Sequence, residues 1–264
     1  MFHERFLLYM VKKQGKVYFI GAGPGDPELI TVKGQRLIME SDVVLYTGSL
    51  VPKAVVACAK KGARVRDSSL MTLDQTHDLV MAGIRKGYTV ARVHTGDPSV
   101  YGAIREQIVL LEKENVEYEV IPGVSVAFAA AALAGISFTI PDITQTLIIT
   151  RMEGRTLVPA KESLKSLASH QCSLAIYLSA WDARTMVQEL IAGGYPENTL
   201  VFTGYRVGWP DEEAFFSTLR DLAEEVEKRA IKQHAIFLIL PGQDKQSCSR
   251  LYAPDFSHGF RNGS

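Results

Sequence analysis

The chain has 264 residues, and its 29 lysines and arginines balance 29 aspartates and glutamates, so the formal net charge is zero. This balance argues against a general nucleic-acid binder, because phosphate contacts require a surplus of basic residues. Three widely spaced cysteines, Cys58, Cys172 and Cys248, exclude a disulfide framework and offer no zinc-binding spacing. No apolar stretch reaches the roughly 18–20 residues that a membrane-spanning helix needs. We therefore expect a cytoplasmic protein with no membrane or nucleic-acid partner and no metal site.

The first half of the chain alternates short, β-branched strands with longer helices. Five strands are predicted, at residues 16–20, 42–46, 63–66, 88–94 and 118–121. Helices are predicted between them, at residues 32–41, 74–86 and 103–115. Such alternation is typical of right-handed βαβ units, which build a parallel sheet.

The pattern changes after residue 121. Pro122 and Gly123 interrupt the chain, and a helix of small residues is predicted at 124–134. Four further strands are predicted, at residues 146–150, 173–178, 199–206 and 235–240. Three more helices are predicted, at residues 162–169, 182–192 and 218–228. The sequence thus predicts an α/β protein with an N-terminal domain, a C-terminal domain and two loose ends, at residues 16–121, 122–243, 1–15 and 244–264.

Ligands of open α/β sheets bind beside the carboxyl ends of the strands, so the glycine-rich segment GAGPGDPELIT after the first strand is a candidate binding loop. It does not match the dinucleotide pattern GxGxxG, because Asp26 stands where the last glycine belongs. Pro24 removes a backbone N–H, and Asp26 adds negative charge where a phosphate would lie. The second strand also ends in Tyr46 and Thr47 instead of a ribose-binding acid. An NAD- or phosphate-binding oxidoreductase is therefore disfavoured, and a simple tight turn remains an alternative.

A second candidate loop, GDPSVYG at 96–102, follows the fourth strand. Asp97 before Pro98 is typical of a turn or of a helix start. An acid in a loop at the end of a strand can instead accept hydrogen bonds from a ligand. The loop by itself does not decide between these two interpretations.

Three motifs occur in order, each after a predicted strand, namely GAGPGDPELITVKG at 21–34, GDPSVYG at 96–102 and IPGVS at 121–125. Together they resemble the tetrapyrrole methyltransferase family, and the resemblance extends over residues 16–243. It implies two tetrapyrrole methylase-like α/β domains, with a five-stranded, mostly parallel N-terminal sheet and a mixed C-terminal sheet. It also implies a small-molecule tetrapyrrole substrate, a homodimer, and the cofactor S-adenosyl-L-methionine (SAM), bound in the cleft between the domains and released as S-adenosyl-L-homocysteine (SAH).

The resemblance implies cofactor contacts position by position. The candidates from the three motifs are Pro24, Thr95, Gly96, Asp97, Val100, Tyr101, Ser125 and Val126. In the second domain the matching strand-end positions are Leu178, Val207 and Ala235, and these rest on an alignment of strands without a sharp motif.

Segments 46–52, 67–74, 150–159 and 203–211 resemble the branch of the family that methylates carbon 11 of precorrin-4 or cobalt-precorrin-4 in cobalamin biosynthesis. The uroporphyrinogen-III branch has an Asp-Arg pair after the second strand and a lysine after the third, which are proposed proton-transfer groups. This chain has Thr47 and Gly48 at the first position and Asp67 and Ser68 at the second, so those roles do not carry over. The sequence leaves open whether the substrate contains cobalt.

Methyl transfer from SAM needs little chemistry from the protein, because the sulfonium already activates the methyl group. Positioning two bound molecules can lower the barrier by roughly 7–11 kcal/mol. This agrees with a sequence that has no Ser/His/Asp pattern and no metal-ligand pattern. Candidate acceptors for the proton that leaves after methylation are Asp67, Asp74 and Glu153. His77 and His94 are interpreted as structural.

A precorrin carries many carboxylates, so arginine and lysine side chains should hold it. The candidate cations are Lys33, Arg151, Arg155 and Arg206, each of which could equally be a solvated surface charge. Tyr46 or Trp209 could lie against the macrocycle or belong to the core.

Several other functions remain open from the sequence. Another tetrapyrrole methyltransferase, acting on uroporphyrinogen-III or precorrin-2, is the nearest alternative. A paralogue that binds SAM without turnover is a second. A ribosomal RNA methyltransferase of related fold is disfavoured, because it would be expected to have a more basic surface.

Overall fold

The structure is a computed structural model. It describes residues 15–243 and, beyond them, residues 249, 253–254, 256–257 and 259–261. Contacts between Cα atoms divide the described residues into two units, one of residues 15–126 with 208–210 and the other of residues 127–207 with those from 211 onward. Most residues of the two predicted loose ends, 1–15 and 244–264, lie outside the described residues. None of the helices in the described part of the chain has the length and apolarity that a bilayer-spanning helix requires.

The first unit contains a five-stranded sheet. Its strands are β1 (Lys16–Gly21), β2 (Val43–Tyr46), β3 (Arg64–Asp67), β4 (Val90–His94) and β5 (Glu117–Ile121). Their order is β3-β2-β4-β1-β5, and every neighbouring pair is parallel. The predicted N-terminal parallel sheet is therefore confirmed. Its carboxyl edge carries the loops that contain all three sequence motifs.

Helices of the first unit pack on both faces of its sheet. They are α1 (Val32–Glu40), α2 (Lys53–Val56), α3 (Leu73–Ile84) and α4 (Ile104–Lys113). Two clusters of buried apolar residues, one on each face, make up the core, as expected of a parallel sheet covered on both sides. The strand β4 is buried at all five positions. Because successive side chains of a strand point to opposite faces of the sheet, Arg92 and His94 lie on the face that carries Val90.

Sequence signals explain where these helices begin. Thr31 caps α1 by accepting a hydrogen bond from the N–H of Gly34, as predicted from its position. Thr72 and Gln75 form a capping box at the start of α3. The four-residue helix α2 was not predicted, because a single turn carries too little periodicity to be recognised.

The second unit begins with α5 (Val126–Ala134), of which Val126 lies at the boundary, and contains a second five-stranded sheet. The strands are β6 (Leu147–Arg151), β7 (Ser173–Tyr177), β8 (Leu200–Tyr205), β9 (Glu213–Thr218) and β10 (Ala235–Leu240). The order is β6-β7-β10-β8-β9. Only the pair β6 and β7 is parallel, and the other three pairs are antiparallel, which confirms the mixed sheet.

Three helices pack against the second sheet, namely α6 (Leu164–Ala168), α7 (Ala183–Ala192) and α8 (Leu219–Lys228). The core here is built on Leu174, Ile176, Phe237 and Ile239, which are fully buried on the two central strands. The edge strand β9 was not predicted. Its residues are exposed or half-buried, so the sequence lacks the apolar alternation that marks a strand.

Candidate functional site

The loops that follow β1 and β4 are joined through their backbones. The N–H of Ala22 donates to the carbonyl oxygen of His94 at 2.7 Å. Gly23 and Gly96 exchange hydrogen bonds, with 3.3 Å from Gly23 N to Gly96 O and 2.8 Å from Gly96 N to Gly23 O. The first two motifs therefore form one continuous structure at the carboxyl edge of the first sheet.

Asp97 joins the second motif to the third. Its Oδ2 accepts a hydrogen bond from the N–H of Gly123 at 2.9 Å, and its Oδ1 accepts from the N–H of Ser99 at 2.9 Å and from the Ser99 hydroxyl. Burial acts to raise the pKa of Asp97, but the hydrogen bonds outweigh burial and lower the pKa below its ordinary value. The carboxylate is therefore ionised at neutral pH and holds two loops together.

Gly21 allows these loops to approach one another, and Gly96 provides a backbone conformation that favours glycine. A Cβ at Gly21 would lie 2.6 Å from backbone atoms of both Gly96 and Gly123, closer than real Cβ atoms approach. Gly96 has a φ of +58°, in the left-handed region that favours glycine. A Cβ placed at Gly96 would meet no atom nearer than 3.7 Å, so the space there is sterically open. Gly21 thus serves the close packing of three loops, and Gly96 serves the turn and leaves an open position beside them.

The remainder of the first loop is covered within the same unit. Pro24 is buried, and Asp26 caps the short 3₁₀ helix Pro27–Leu29 by accepting from a backbone N–H at 2.8 Å. A Cβ at Gly25 would lie 2.5 Å from Cδ1 of Trp209, so the indole packs directly on the loop backbone. Trp209 therefore covers the glycine loop.

The other candidate cofactor contacts of the first unit lie on the same edge of the sheet. Thr95 directly follows β4, and the N–H of Val100 closes a turn inside the second motif. Tyr101 has a φ of +55° and exposes 45% of its surface. Ser125 is buried, and Val126 begins α5. The structure thus collects the motif residues at one edge of one sheet.

Three candidates of the second unit meet at one end of its sheet. Leu178 follows β7, has a φ of +53° and is 58% exposed. Val207 follows β8 and is buried, and Ala235 is the first residue of β10. Because β10 runs antiparallel to both β7 and β8, its start lies beside their ends.

Two candidate arginines lie at the end of β6 and differ in their contacts. The guanidinium of Arg151 donates to the carbonyl oxygens of Met152 (3.3 Å), Thr156 (3.2 Å) and Leu157 (2.9 Å), and so holds its own loop in shape. Arg155 is exposed and forms no hydrogen bond or ion pair with the described residues. Of the two, Arg155 has the side chain that is available to an incoming anion.

The other two candidate cations are paired with acids. Arg206 donates through Nε to Asp211 at 2.7 Å, and its Nη1 lies 3.5 Å from Nδ1 of His234. Lys33 is exposed and forms an ion pair with Glu119 at 2.5 Å. A substrate carboxylate would compete with an acid at either position.

The candidate proton acceptors are not equivalent. Asp67 accepts hydrogen bonds from the N–H groups of Ser69 (2.8 Å) and Gly48 (2.9 Å), and the bond from Ser69 is the main cause that lowers its pKa. This makes Asp67 a weaker base than an ordinary aspartate. Asp74 is exposed in the first turn of α3, and Glu153 is exposed in the loop after β6 in the second unit.

A cavity of about 290 Å³ opens beside the ends of β2, β3 and β4 in the first unit. Its walls include Thr47, Ser68, the first turn of α3 and the buried Arg92. Arg92 is not among the site residues predicted from the sequence, although a basic residue inside the apolar strand VARVH is a visible signal. The half-buried Tyr46, which ends β2, packs on the apolar core of this unit. In the part of the chain that the structure describes, no cluster of three metal-ligating side chains occurs.

The burial of His94 at the end of β4 can be tested through the pH dependence of the unfolding free energy. Burial, assisted by the charge of Arg92, lowers the pKa of His94 to about 3. An unfolded histidine, with a pKa of about 6.5, takes up a proton that the folded residue does not, so stability falls as the pH falls from about 6.5 toward 3. We expect His94→Phe to reduce the slope of unfolding free energy against pH by about 1 kcal/mol per pH unit between pH 4 and 6. Urea unfolding across this range measures the slope, and equal slopes in both proteins would contradict the expectation.

Comparison with known proteins agrees with the fold and the motif loops. The family model of the Tetrapyrrole (Corrin/Porphyrin) Methylases matches residues 16–223. The chain therefore belongs to the tetrapyrrole methylases. The predicted family, the α/β architecture of two sheets and the methyltransferase class are confirmed.

Particular members of the family are similar over nearly the whole chain. A protein of Priestia megaterium named cobalt-precorrin-4 C(11)-methyltransferase is 47% identical over 255 residues, which are 94% of this chain and 98% of that protein. The X-ray structure of a cobalt precorrin-4 methyltransferase matches with a TM-score of 0.83 and 47% identity, covering 85% of this chain and 94% of the other. Uroporphyrin-III C-methyltransferase from Thermus thermophilus, complexed with S-adenosyl homocysteine, matches with a TM-score of 0.71 and 27% identity, covering 86% and 98%.

Proposed function

We propose that this protein transfers the methyl group of SAM to carbon 11 of precorrin-4 or cobalt-precorrin-4 and releases SAH. The observation that carries the proposal is the 47% identity, over nearly the full length of both chains, to a relative with that name. The family match and the intact motif loops support methyl transfer itself. The reaction would be a step of cobalamin biosynthesis.

The residues of the motif loops suit SAM better than a nucleotide phosphate. Pro24 has no N–H, and Asp26 and Asp97 place negative charge at the carboxyl edge of the sheet. A pyrophosphate would be repelled there, whereas SAM, with a sulfonium, an ammonium and one carboxylate, carries a net positive charge. We propose that Pro24, the segment 95–97, Val100, Tyr101, Ser125 and Val126 contact SAM, together with Leu178, Val207 and Ala235 in the second unit.

The chain has to orient the two reactants and accept one proton. When bound, SAM supplies an activated methyl group, so the carbon of the macrocycle needs only the correct distance and angle. Arg151, Arg155 and Arg206 are proposed to bind the substrate carboxylates, and Tyr46 to contact the macrocycle. Asp74 and Glu153 are exposed acids that can take the proton, and Asp67 is a weaker base than an ordinary aspartate because hydrogen bonds lower its pKa.

The pair Gly48 and Asp67 favours this branch of the family over the uroporphyrinogen-III branch. The N–H of Gly48 donates to Asp67 at 2.9 Å, so the two positions that differ between the branches contact one another. A Cβ at position 48 would collide with the Asp67 carboxylate. A side chain at position 48 would therefore require the Asp67 carboxylate to move and to give up its present hydrogen bonds.

A direct assay distinguishes the candidates. The purified protein is incubated with SAM labelled with ¹³C in the methyl group and with precorrin-4, cobalt-precorrin-4 or uroporphyrinogen III. We expect one labelled methyl group at carbon 11 of a precorrin-4 and none on uroporphyrinogen III, by mass spectrometry and ¹³C NMR. Methylation of uroporphyrinogen III would favour the alternative enzyme, and SAH binding without methylation of any of the three would indicate a non-catalytic paralogue.

Arg155 allows a test of substrate binding that leaves the loop intact. Arg155→Gln is expected to raise the KM for the tetrapyrrole roughly fivefold, because an exposed ion pair is worth about 1 kcal/mol. The Kd for SAH should stay within about twofold. Lys161→Gln, which removes an exposed charge from the same segment, is the matched control. If the KM for the tetrapyrrole is the same in Arg155→Gln as in Lys161→Gln, Arg155 does not belong to the substrate site.

We also propose a domain boundary between residues 121 and 122, a homodimer and a cytoplasmic location. The support for a dimer is the helix α5, whose sequence VAFAAAALA carries no polar side chain. Phe128 and Leu133 on this helix are 52% and 46% exposed, which is typical of a face that another surface covers.

A further inference from the structure

Arg92 is a buried cation whose hydrogen bonds all go to neutral groups. The residue is only 7% exposed. Its Nε donates to Oε1 of Gln107 at 3.1 Å, and its Nη1 donates to the carbonyl oxygen of Leu45 at 3.3 Å and to the hydroxyls of Ser68 (3.0 Å) and Thr47 (3.4 Å). Among the described residues, none of its acceptors is a carboxylate. Its Nη2 forms no hydrogen bond with them.

Such an arrangement leaves a charge without its usual partner. Burial lowers the pKa of Arg92 to about 10, so the guanidinium still carries its proton at neutral pH. A buried charge is normally paired, because its desolvation is otherwise uncompensated. The four neutral acceptors orient the guanidinium but do not balance its charge. An anion from outside the chain would supply both the missing charge and acceptors for Nη2.

The cavity beside Arg92 has room and polarity for such an anion. We call it the Arg92 cavity, of about 290 Å³, and its hydroxyl-bearing lining residues are Thr47, Ser68, Ser69, Thr72 and Thr76. Helix α3, twelve residues long, begins in its wall at Leu73 and directs its positive end there. Glu106 is the one acidic residue of the lining. It is exposed and forms no ion pair with Arg92.

We propose that the Arg92 cavity binds one carboxylate of the tetrapyrrole substrate, with Arg92 as the charged donor. This inference rests on the proposed function for the identity of the carboxylate. The volume of the cavity, about 290 Å³, lies just below the roughly 300–1,000 Å³ typical of small-molecule pockets, so the cavity suits an acetate or propionate side chain and not a macrocycle. A planar guanidinium already fixed by Gln107 and Ser68 offers its remaining N–H groups without loss of side-chain freedom.

The first experiment tests the cavity without the substrate. The probe is sodium propionate, titrated into protein labelled with ¹⁵N-arginine, with sodium chloride at equal ionic strength as reference. We expect a saturable shift of the Arg92 Nε–Hε resonance with propionate only, assigned by its loss in Arg92→Lys. Leu73 is 42% exposed on the cavity wall, so Leu73→Glu adds a negative charge there that Leu73→Gln does not. The propionate affinity should be about tenfold weaker in Leu73→Glu than in Leu73→Gln.

The second experiment uses methyl transfer to precorrin-4. Arg92→Lys should raise the KM for precorrin-4 about tenfold or more over that of the wild type. Leu73→Glu should likewise have a KM for precorrin-4 about tenfold or more above that of Leu73→Gln. The Kd for SAH should stay within about twofold in all of them, a split that a purely structural role of Arg92 would not produce. If Arg92→Lys does not fold, the comparison of the two Leu73 variants still decides, because the first turn of a helix accepts Glu readily.

The two experiments separate the inference from the proposed function. Effects on both propionate binding and KM support the inference. No saturable propionate shift together with equal KM values in the Leu73 variants would overturn it. Propionate binding with equal KM values would assign the cavity to a free organic anion and overturn the substrate assignment. If the wild type binds propionate but methylates no precorrin-4, the proposed function fails while the anion site stands.

Discussion

Gly21→Ala is expected to destabilise the protein by about 3 kcal/mol or more, or to prevent its accumulation in soluble form. The added Cβ would lie 2.6 Å from the Gly123 Cα and N atoms and from the Gly96 carbonyl oxygen. All three are backbone atoms of neighbouring loops, so no side chain can rotate to relieve the contact. Urea unfolding of the variant and the wild type measures the effect.

Gly83→Ala is the matched control for this prediction. Its Cβ would also enter the packed interior of the first unit, but the nearest atom is a methyl group of Val90 at 3.2 Å. Gly83 lies inside α3, where alanine gains up to about 1 kcal/mol of helix propensity over glycine. We expect a change within about 1 kcal/mol of the wild type. If Gly21→Ala were equally mild, the three loops would not be packed as described.

The architecture could be predicted because local signals agree with the tertiary structure. The strand predicted at 16–20 is β1 (Lys16–Gly21), and the helix predicted at 103–115 is α4 (Ile104–Lys113), with ends that differ by one or two residues. Alternation of strands and helices determines a parallel sheet through the handedness of each crossover. The edge strand β9 has no buried face to pattern it, and so its sequence resembles a loop.

The candidate site was predictable only in part. The motifs identify the loops, but they do not show that Asp97, after β4, accepts a hydrogen bond from Gly123, after β5 and 26 positions away. This hydrogen bond passes the end of β1, which lies between β4 and β5 in the sheet. That strand order depends on packing and cannot be read from the loops. Arg92 differs again, because its significance lies in the lack of a carboxylate partner among the described residues, which only the surrounding side chains reveal.

Asp97→Asn is expected to lower the unfolding free energy by about 2–3 kcal/mol and to weaken SAH binding about tenfold or more. The carboxylate accepts from Gly123 N–H through Oδ2 and from Ser99 through Oδ1. An asparagine side chain has one acceptor oxygen, so its amide nitrogen must face one of these N–H groups and leave it unpaired. The loops at 96–102 and 121–125 would then separate. Urea unfolding and isothermal titration with SAH measure the two effects.

Ser99→Ala is the control, because it removes only the hydroxyl donor and keeps both backbone hydrogen bonds to Asp97. We expect it to cost no more than about 1 kcal/mol and to bind SAH nearly as the wild type does. The combination of results locates the role of Asp97. Lower stability with unchanged SAH affinity would mean that these loops do not form the SAM site. Weaker SAH binding at unchanged stability would mean that Asp97 acts on the ligand directly and that its hydrogen bond to Gly123 contributes little to the fold.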